Sequence, residues 1–312
     1  MWIKLNPKML WGRPIQYNDY DRFKIKLGSG LDNGVDNKIL GTPEASSKRI
    51  KYNNGLFYVF KTTSKNIQIK YQFHHSDKDD YFAARQSLVE PQLCGKLNTG
   101  KWVMLNTRHA LCDSYPRMAE KTHIIKYKLL DRESFTEFQF CLPCGVRTLS
   151  VEIASDSKIE IISPLKVSFI FLGSSVTNMS AINACSSLTA QLYRELGINC
   201  CNLAIAVTNS IAYPEMFNWI AEHQEFKWLI CDTVNIESKN IELAKKHNIK
   251  FACIKSRLTK RIFPTVNYIF ELDDPMYNYD HLHLTTVGAY KFTQKLIPIL
   301  KEELANEKSC NN

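Results

Sequence analysis

Val167-Ser168-Phe169-Ile170-Phe171-Leu172-Gly173-Ser174-Ser175 is the stretch on which the reading of the fold turns. Its first six positions are almost continuously apolar. That pattern suits a strand buried on both faces, as in a parallel sheet, rather than a strand with one wet face. Gly173 then permits a tight turn. Downstream, a helical pattern from about Ser180 to Leu196 stops at Gly197, a suitable C-cap. Strands near Cys201–Ile205, Trp228–Cys231 and Lys250–Ile254 alternate with helices near Tyr213–His223, Glu237–His247 and Thr285–Ala305. Such alternation predicts a parallel sheet with helices on both faces.

Upstream the rhythm is different. Phe23–Leu27, Leu56–Phe60, Ile67–Phe73 and much of His123–Leu130 alternate apolar and polar residues. Phe138-Gln139-Phe140 leads into Val151-Glu152-Ile153. Turn formers such as Asn53-Asn54-Gly55 and Asn98-Thr99-Gly100 separate these runs. Short period-two strands with Asn/Gly turns predict an antiparallel sandwich, with no helix before about residue 180. The change of rhythm falls at Ile162-Ser163-Pro164. The expected organisation is a β-sandwich, jelly-roll-like domain over 1–163 and an α/β domain over 164–312.

The chain has 312 residues, 45% of them hydrophobic, enough for two ordinary domains. No apolar run approaches the ~18–20 residues of a membrane span. Met1-Trp2-Ile3-Lys4-Leu5-Asn6-Pro7-Lys8 has no apolar signal core, so a cytoplasmic chain is expected, a removed secretory leader aside. The net charge of +9 is uneven: residues 1–163 carry 25 Lys+Arg against 17 Asp+Glu, residues 164–312 carry 15 against 14. The bases are dispersed, and nothing resembles a nucleic-acid-binding signature, so no nucleic-acid partner is expected. The ten Cys read as reduced, partly buried thiols. Cys141-Leu142-Pro143-Cys144 has metal or redox spacing but lacks the second pair a zinc site wants, and packing at strand ends is the preferred reading.

Other motifs point away from cofactors. Gly95 to Lys101 imitates most of a phosphate-binding loop but ends in Trp102 and sits in a hairpin context. His74-His75 with Asp77, Asp79 and Asp80 reads as a solvated loop. Gly28-Ser29-Gly30 with Gly34 reads as a turn. No metal and no cofactor are expected.

The chemistry concentrates elsewhere. A serine becomes a nucleophile when an imidazole lies within hydrogen-bond reach and a third group fixes the imidazole tautomer. Ligands in open α/β sheets bind beyond the carboxyl ends of the strands. Ser175 follows such an end and would open a helix, where its N–H can face an oxyanion. Asn235 follows the Trp228–Cys231 strand. Asp280-His281-Leu282-His283 precedes the last helix, and its i, i+3 spacing lets Asp280 orient His283 as the base. His281 is the rival base, but it lacks a carboxylate three residues upstream.

Residues 167–304 resemble the SGNH (GDSL-like) hydrolases, esterases with a flavodoxin-like three-layer α/β/α sheet domain. The resemblance is carried by Gly173-Ser174-Ser175-Val176-Thr177, by Asn235 in Cys231-Asp232-Thr233-Val234-Asn235, and by Asp280-His281-Leu282-His283-Leu284-Thr285-Thr286-Val287-Gly288. The first half resembles the β-sandwich of a two-domain carbohydrate-esterase-like subgroup, through Gly55 to Phe73 and the Gly100-Lys101-Trp102 hairpin. The resemblance implies a Ser175–His283–Asp280 triad and an oxyanion hole of Ser175 N–H, Ala204 N–H and Asn235. In Asn202-Leu203-Ala204, alanine stands where the family has glycine. The implied substrate is an O-acyl, foremost O-acetyl, ester on a sugar or glycan, with an acidic glycan suggested by the basic first half. Two alternatives stay open: acyl transfer from the same site, and a sugar-binding protein on a decayed hydrolase scaffold.

Overall fold

A computed structural model of the chain describes residues 1–12, 55–74, 91–105, 110–112, 122–130, 134–143, 147–172, 184–202, 222, 226, 228–232, 238–255, 268–271 and 285–310. The expected strand Phe23–Leu27, the Gly28–Gly34 turn, Asp77, Asp79, Asp80 and Cys144 lie outside them, as does the expected helix Tyr213–His223 apart from Glu222.

The first ten strands are β1 (Ile3–Lys4), β2 (Phe57–Thr62), β3 (Asn66–His74), β4 (Gln92–Leu97), β5 (Trp102–Met104), β6 (Ala110–Cys112), β7 (His123–Leu129), β8 (Phe135–Cys141), β9 (Arg147–Ser155) and β10 (Ile159–Ile162). They form two five-stranded sheets, ordered β1-β9-β3-β7-β6 and β10-β2-β8-β4-β5. Every pairing in both is antiparallel. Period-two patterning explains the packing. His123, Ile125, Tyr127 and Leu129 of β7 are buried and the residues between them exposed. Inward residues of both sheets meet in one core, with Ile67, Ile69, Ile125, Tyr127 and Ile153 from one and Tyr58, Phe60, Phe138 and Phe140 from the other. Phe60 and Phe138 stack across β2 and β8 with centroids 5.3 Å apart. The β4–β5 hairpin turns where Asn98-Thr99-Gly100 predicts. Gly100 takes φ 87° and donates its N–H to the Leu97 carbonyl at 2.8 Å. The Gly95–Lys101 run is therefore hairpin backbone.

The third sheet contains β11 (Val167–Leu172), β12 (Asn199–Asn202), β13 (Trp228–Asp232), β14 (Lys250–Lys255) and β15 (Tyr268–Glu271). Its order is β12-β11-β13-β14-β15 and all its pairs are parallel. The helices are α1 (Leu188–Leu196), α2 (Ser238–Lys246) and α3 (Thr286–Cys310). Phe169 and Phe171 share a core with Leu188 and Leu192 of α1 and Ala289, Phe292 and Leu296 of α3. Ile170, on the alternate face of β11, is also fully buried. Burial on both faces is what the unbroken apolar run requires. Among the described residues, no helix is long and apolar enough to cross a membrane.

α1 lies between the second antiparallel sheet and the parallel sheet. Leu188 and Leu192 face the parallel sheet, while Ala190 and Tyr193 join Trp11, Phe57, Val59, Cys94 and Cys141 on the other side. Polar ties run through this junction. Gln139 donates Nε2–H to the Ala190 carbonyl at 3.2 Å, and Tyr193 donates its hydroxyl to Glu137 at 2.5 Å. Thr189 donates its hydroxyl to the Gly55 carbonyl.

Three elements differ from expectation. Among the described residues, the helix expected from Ser180 begins at Leu188, after a 3-10 turn at Ala184–Ser186. Ser187 sits at the N-cap with extended backbone (φ −58°, ψ 145°), so the helix starts after it. Its end matches: Gly197 is left-handed at φ 67° and donates N–H to the Tyr193 carbonyl at 2.8 Å. β12 starts two residues earlier than its apolar run, because the Asn199 side chain accepts from Gly12 N–H at 3.1 Å and donates to the Leu165 carbonyl at 2.6 Å. β15 has only four residues and no alternation signal, and its pairing with β14 defines it.

Candidate active site

The strands beside the candidate residues run in one direction and end at one edge. Phe171 of β11 pairs with Asn202, the last residue of β12. Leu172, the last residue of β11, pairs with Cys231 of β13, which ends one residue later at Asp232. The carboxyl ends of β12, β11 and β13 are thus consecutive neighbours, with β11 in the middle, at the usual strand spacing of about 4.8 Å. Beyond them the chain reaches Ala204 two residues after Asn202, Ser175 three after Leu172 and Asn235 three after Asp232. Each residue of chain spans at most about 3.6 Å.

α3 bears on the same edge. Lys250 opens β14 at the amino edge of the sheet and is ion-paired with Glu303 near the far end of α3. The helix therefore runs against the strands, and its N-terminus faces their carboxyl ends. A rise of about 1.5 Å per residue carries the 17 positions from Glu303 back to Thr286 roughly 25 Å, more than the length of these strands. Thr285 caps that N-terminus. Its Oγ1 accepts the Gly288 N–H at 3.0 Å and its carbonyl accepts the Ala289 N–H at 2.9 Å. The Thr and Gly of the last sequence block are hence a helix cap and a buried first-turn residue, with Ala289 fully buried in the core beside Phe171 and Ile230. His283 precedes Thr286 by three residues and Asp280 by six.

Ser175, Ala204, Asn235, Asp280 and His283 themselves lie outside the described residues, as do His281 and the loop following His74. What is described is the frame: three adjacent parallel strand ends and one capped helix start. The carboxyl edge of such a sheet is where open α/β folds bind their ligands.

No protein-family model matches the chain, and no curated protein matches it. Solved structures do. A candidate GDSL-like lipase from Bacteroides ovatus superposes with a TM-score of 0.67 at 17% identity, covering 98% of each chain. The salicylyl-acyltransferase SsfX3 from a tetracycline biosynthetic pathway superposes with a TM-score of 0.53 at 12% identity, over 94% of this chain and 92% of its own. A family two carbohydrate esterase from Cellvibrio japonicus overlaps with a TM-score of 0.43 at 9% identity, over 79% of this chain and 88% of its own, too loose a match to carry an argument. At these identities the likeness is one of fold. The chain has a mixed α/β fold similar to that of a GDSL-like protein over its whole length.

Proposed function

We propose that this chain is an SGNH-type serine esterase. The observation that carries the reading is the order β12-β11-β13, which brings the exits toward Ala204, Ser175 and Asn235 side by side. The opposed direction of α3 supports the reading, since its N-terminus faces that edge and follows His283 by three residues in sequence. In this reading Ser175 Oγ attacks an ester carbonyl while His283 takes its proton. His283 then returns that proton to the leaving alcohol, leaving an acyl-serine that water hydrolyses. Asp280 holds the imidazole tautomer and stabilises the imidazolium. Ser175 N–H, Ala204 N–H and the Asn235 amide stabilise the oxyanion. No metal or cofactor enters these steps.

The proposal extends to organisation and substrate. The strand order, 2-1-3-4-5 in chain sequence, supports a flavodoxin-like three-layer domain over 164–312. The two antiparallel sheets with a shared core support a β-sandwich over 1–163. The preferred substrate is an O-acetyl ester of a sugar or glycan, and the basic first half favours an acidic glycan.

Acyl transfer is the second reading, favoured by the likeness to an acyltransferase. The acyl-serine is the same, and the acceptor is an alcohol or amine in place of water. A non-catalytic sugar binder rests on Ala204 alone. The test is hydrolysis of 4-nitrophenyl acetate and of acetylated sugars by the wild type, Ser175→Ala and His283→Ala. Turnover lost in both variants supports the esterase. Acyl-serine that accumulates and turns over only with an added alcohol or amine supports the transferase. No turnover and no acyl-serine in any form overturns both.

A further inference from the structure

Cys94 in β4, Cys141 at the end of β8 and Cys185 in the 3-10 turn before α1 converge on the junction between the second antiparallel sheet and α1, all three buried. Cys94 and Cys185 are 91 residues apart in sequence, yet their Sγ atoms lie 2.8 Å apart. Cys141 belongs to the same buried cluster. Arg194 reaches into the same junction. One guanidinium nitrogen donates to Gln139 Oε1 at 2.6 Å and lies 3.9 Å from Cys94 Sγ, and the other donates to the Cys185 carbonyl. The Cys185 N–H is held by Gln92 Oε1 at 2.9 Å. The two sulfurs are therefore fixed by their backbones and not merely adjacent.

Three thiols and a buried cation are more than an apolar junction needs. The hydrogen bonds from Cys141 and Cys185, with Arg194 nearby, hold the Cys94 thiol well below its ordinary value, while burial pushes Cys141 and Cys185 up. A cysteine beside a cation and hydrogen-bond donors is placed to be more reactive than a lone buried thiol. Zinc is the wrong partner. Thiolates sharing a tetrahedral zinc at about 2.3 Å sit about 3.8 Å from one another, farther than this pair.

We propose that Cys94 and Cys185 are a redox-active pair that closes to a disulfide, joining β4 to the turn between the Ser175 segment and α1. The oxidant is a small disulfide such as oxidised glutathione. The Cys94 thiolate attacks one sulfur of that disulfide, forms a mixed disulfide and releases one thiolate. Cys185 then gives its proton to a departing thiolate and attacks Cys94 Sγ, breaking the mixed disulfide. The protein loses two electrons and the oxidant becomes two reduced thiols, one protonated by Cys185 and the other by water. Burial makes opening of the junction the gate for exchange. The bond would staple the first ten strands to α1 across the junction that Gln139, Tyr193 and Thr189 otherwise hold by hydrogen bonds. Cys185 follows Ser175 by ten residues, so the staple anchors one end of the segment carrying the proposed nucleophile.

The full chain is equilibrated in glutathione buffers from reducing to oxidising, blocked with iodoacetamide, digested and mapped by mass spectrometry. The expected result is a single linked peptide pair, Cys94 with Cys185, reversed by reductant. The oxidised protein should melt about 5–10 °C above the reduced one, as a staple closing so long a loop implies. Cys185→Ala should abolish both effects, and the wild-type map decides if that variant does not fold. Alkylation of Cys94 and Cys185 at every glutathione ratio, or a Cys94–Cys141 link in their place, overturns the proposal.

Discussion

Lys250 at the head of β14 is ion-paired with Glu303, 53 residues later in α3, and its ammonium also lies 5.5 Å from the centroid of the Trp228 ring. Glu303 is only 7% exposed, so its carboxylate is largely removed from water. The pair fixes the direction of α3 against the sheet. Lys250→Met removes the cation from a buried carboxylate and should cost about 1–3 kcal/mol, more than Glu303→Gln, which leaves the better-solvated Lys250. Urea unfolding of the two variants checks the order, and a larger cost for Glu303→Gln would contradict it.

Gly55 should resist substitution. It takes φ 66°, and a Cβ there would come within 2.4 Å of Thr189 Oγ1 and 3.3 Å of Ser187. That hydroxyl donates to the carbonyl of Gly55 itself, so it cannot retreat without losing the bond. Gly55→Ala should destabilise by about 1–3 kcal/mol, read as a lowered melting temperature with intact strand signal in far-ultraviolet circular dichroism. An unchanged melting temperature would show that the junction is looser than described.

Tyr193 tests the same junction by its side chain. Its ring meets Trp11 at 4.7 Å and Phe57 at 5.4 Å, and its hydroxyl donates to Glu137 at 2.5 Å. Tyr193→Phe removes one charge-assisted hydrogen bond and should cost about 1.5–3 kcal/mol. Tyr193→Ala opens a cavity as well and should cost about 3–5 kcal/mol. Equal losses in chemical denaturation would mean that the ring contributes little.

Stability should fall on the alkaline side. Burial pushes the Cys141, Cys185 and Cys200 thiols up, and burial with the Glu137 hydrogen bond pushes the Tyr193 phenol up. A group raised in the folded state gives stability that is full below its unfolded pKa and fades as pH climbs toward its folded value. The window opens near pH ~8.5 for the thiols and ~10 for the phenol. Cys94 acts oppositely: hydrogen bonds from Cys141 and Cys185 hold it low, so its contribution is lost as pH falls through its folded value. Urea midpoints in reducing buffer should therefore drop between about pH 8.5 and pH 10. A flat profile would contradict the burial of these thiols.

Much of this architecture is legible in the residues. The unbroken run Val167–Leu172 announces a strand buried on both faces, and the alternation of His123–Leu129 a half-buried one. Asn98-Thr99-Gly100 and Gly197 mark a turn and a helix end because each glycine takes a positive φ. Long-range features are not written locally. β15 exists by pairing with β14, and β12 begins where Asn199 is tied to Gly12 and Leu165. The Cys94–Cys185 contact joins residues whose local sequence gives no hint of one another. The candidate site divides in the same way. The Thr285 and Gly288 positions of the last block are accounted for as a helix cap, whereas the chemistry of Ser175 and His283 rests on motif and on the edge they adjoin.

The most direct measurement of the central claim is labelling with a fluorophosphonate, which bonds only to an activated serine. The wild type should give a single adduct mapped to Ser175, absent in Ser175→Ala and slowed by at least about 10³-fold in His283→Ala. No adduct at Ser175 in folded wild-type protein, or undiminished labelling in His283→Ala, would contradict it.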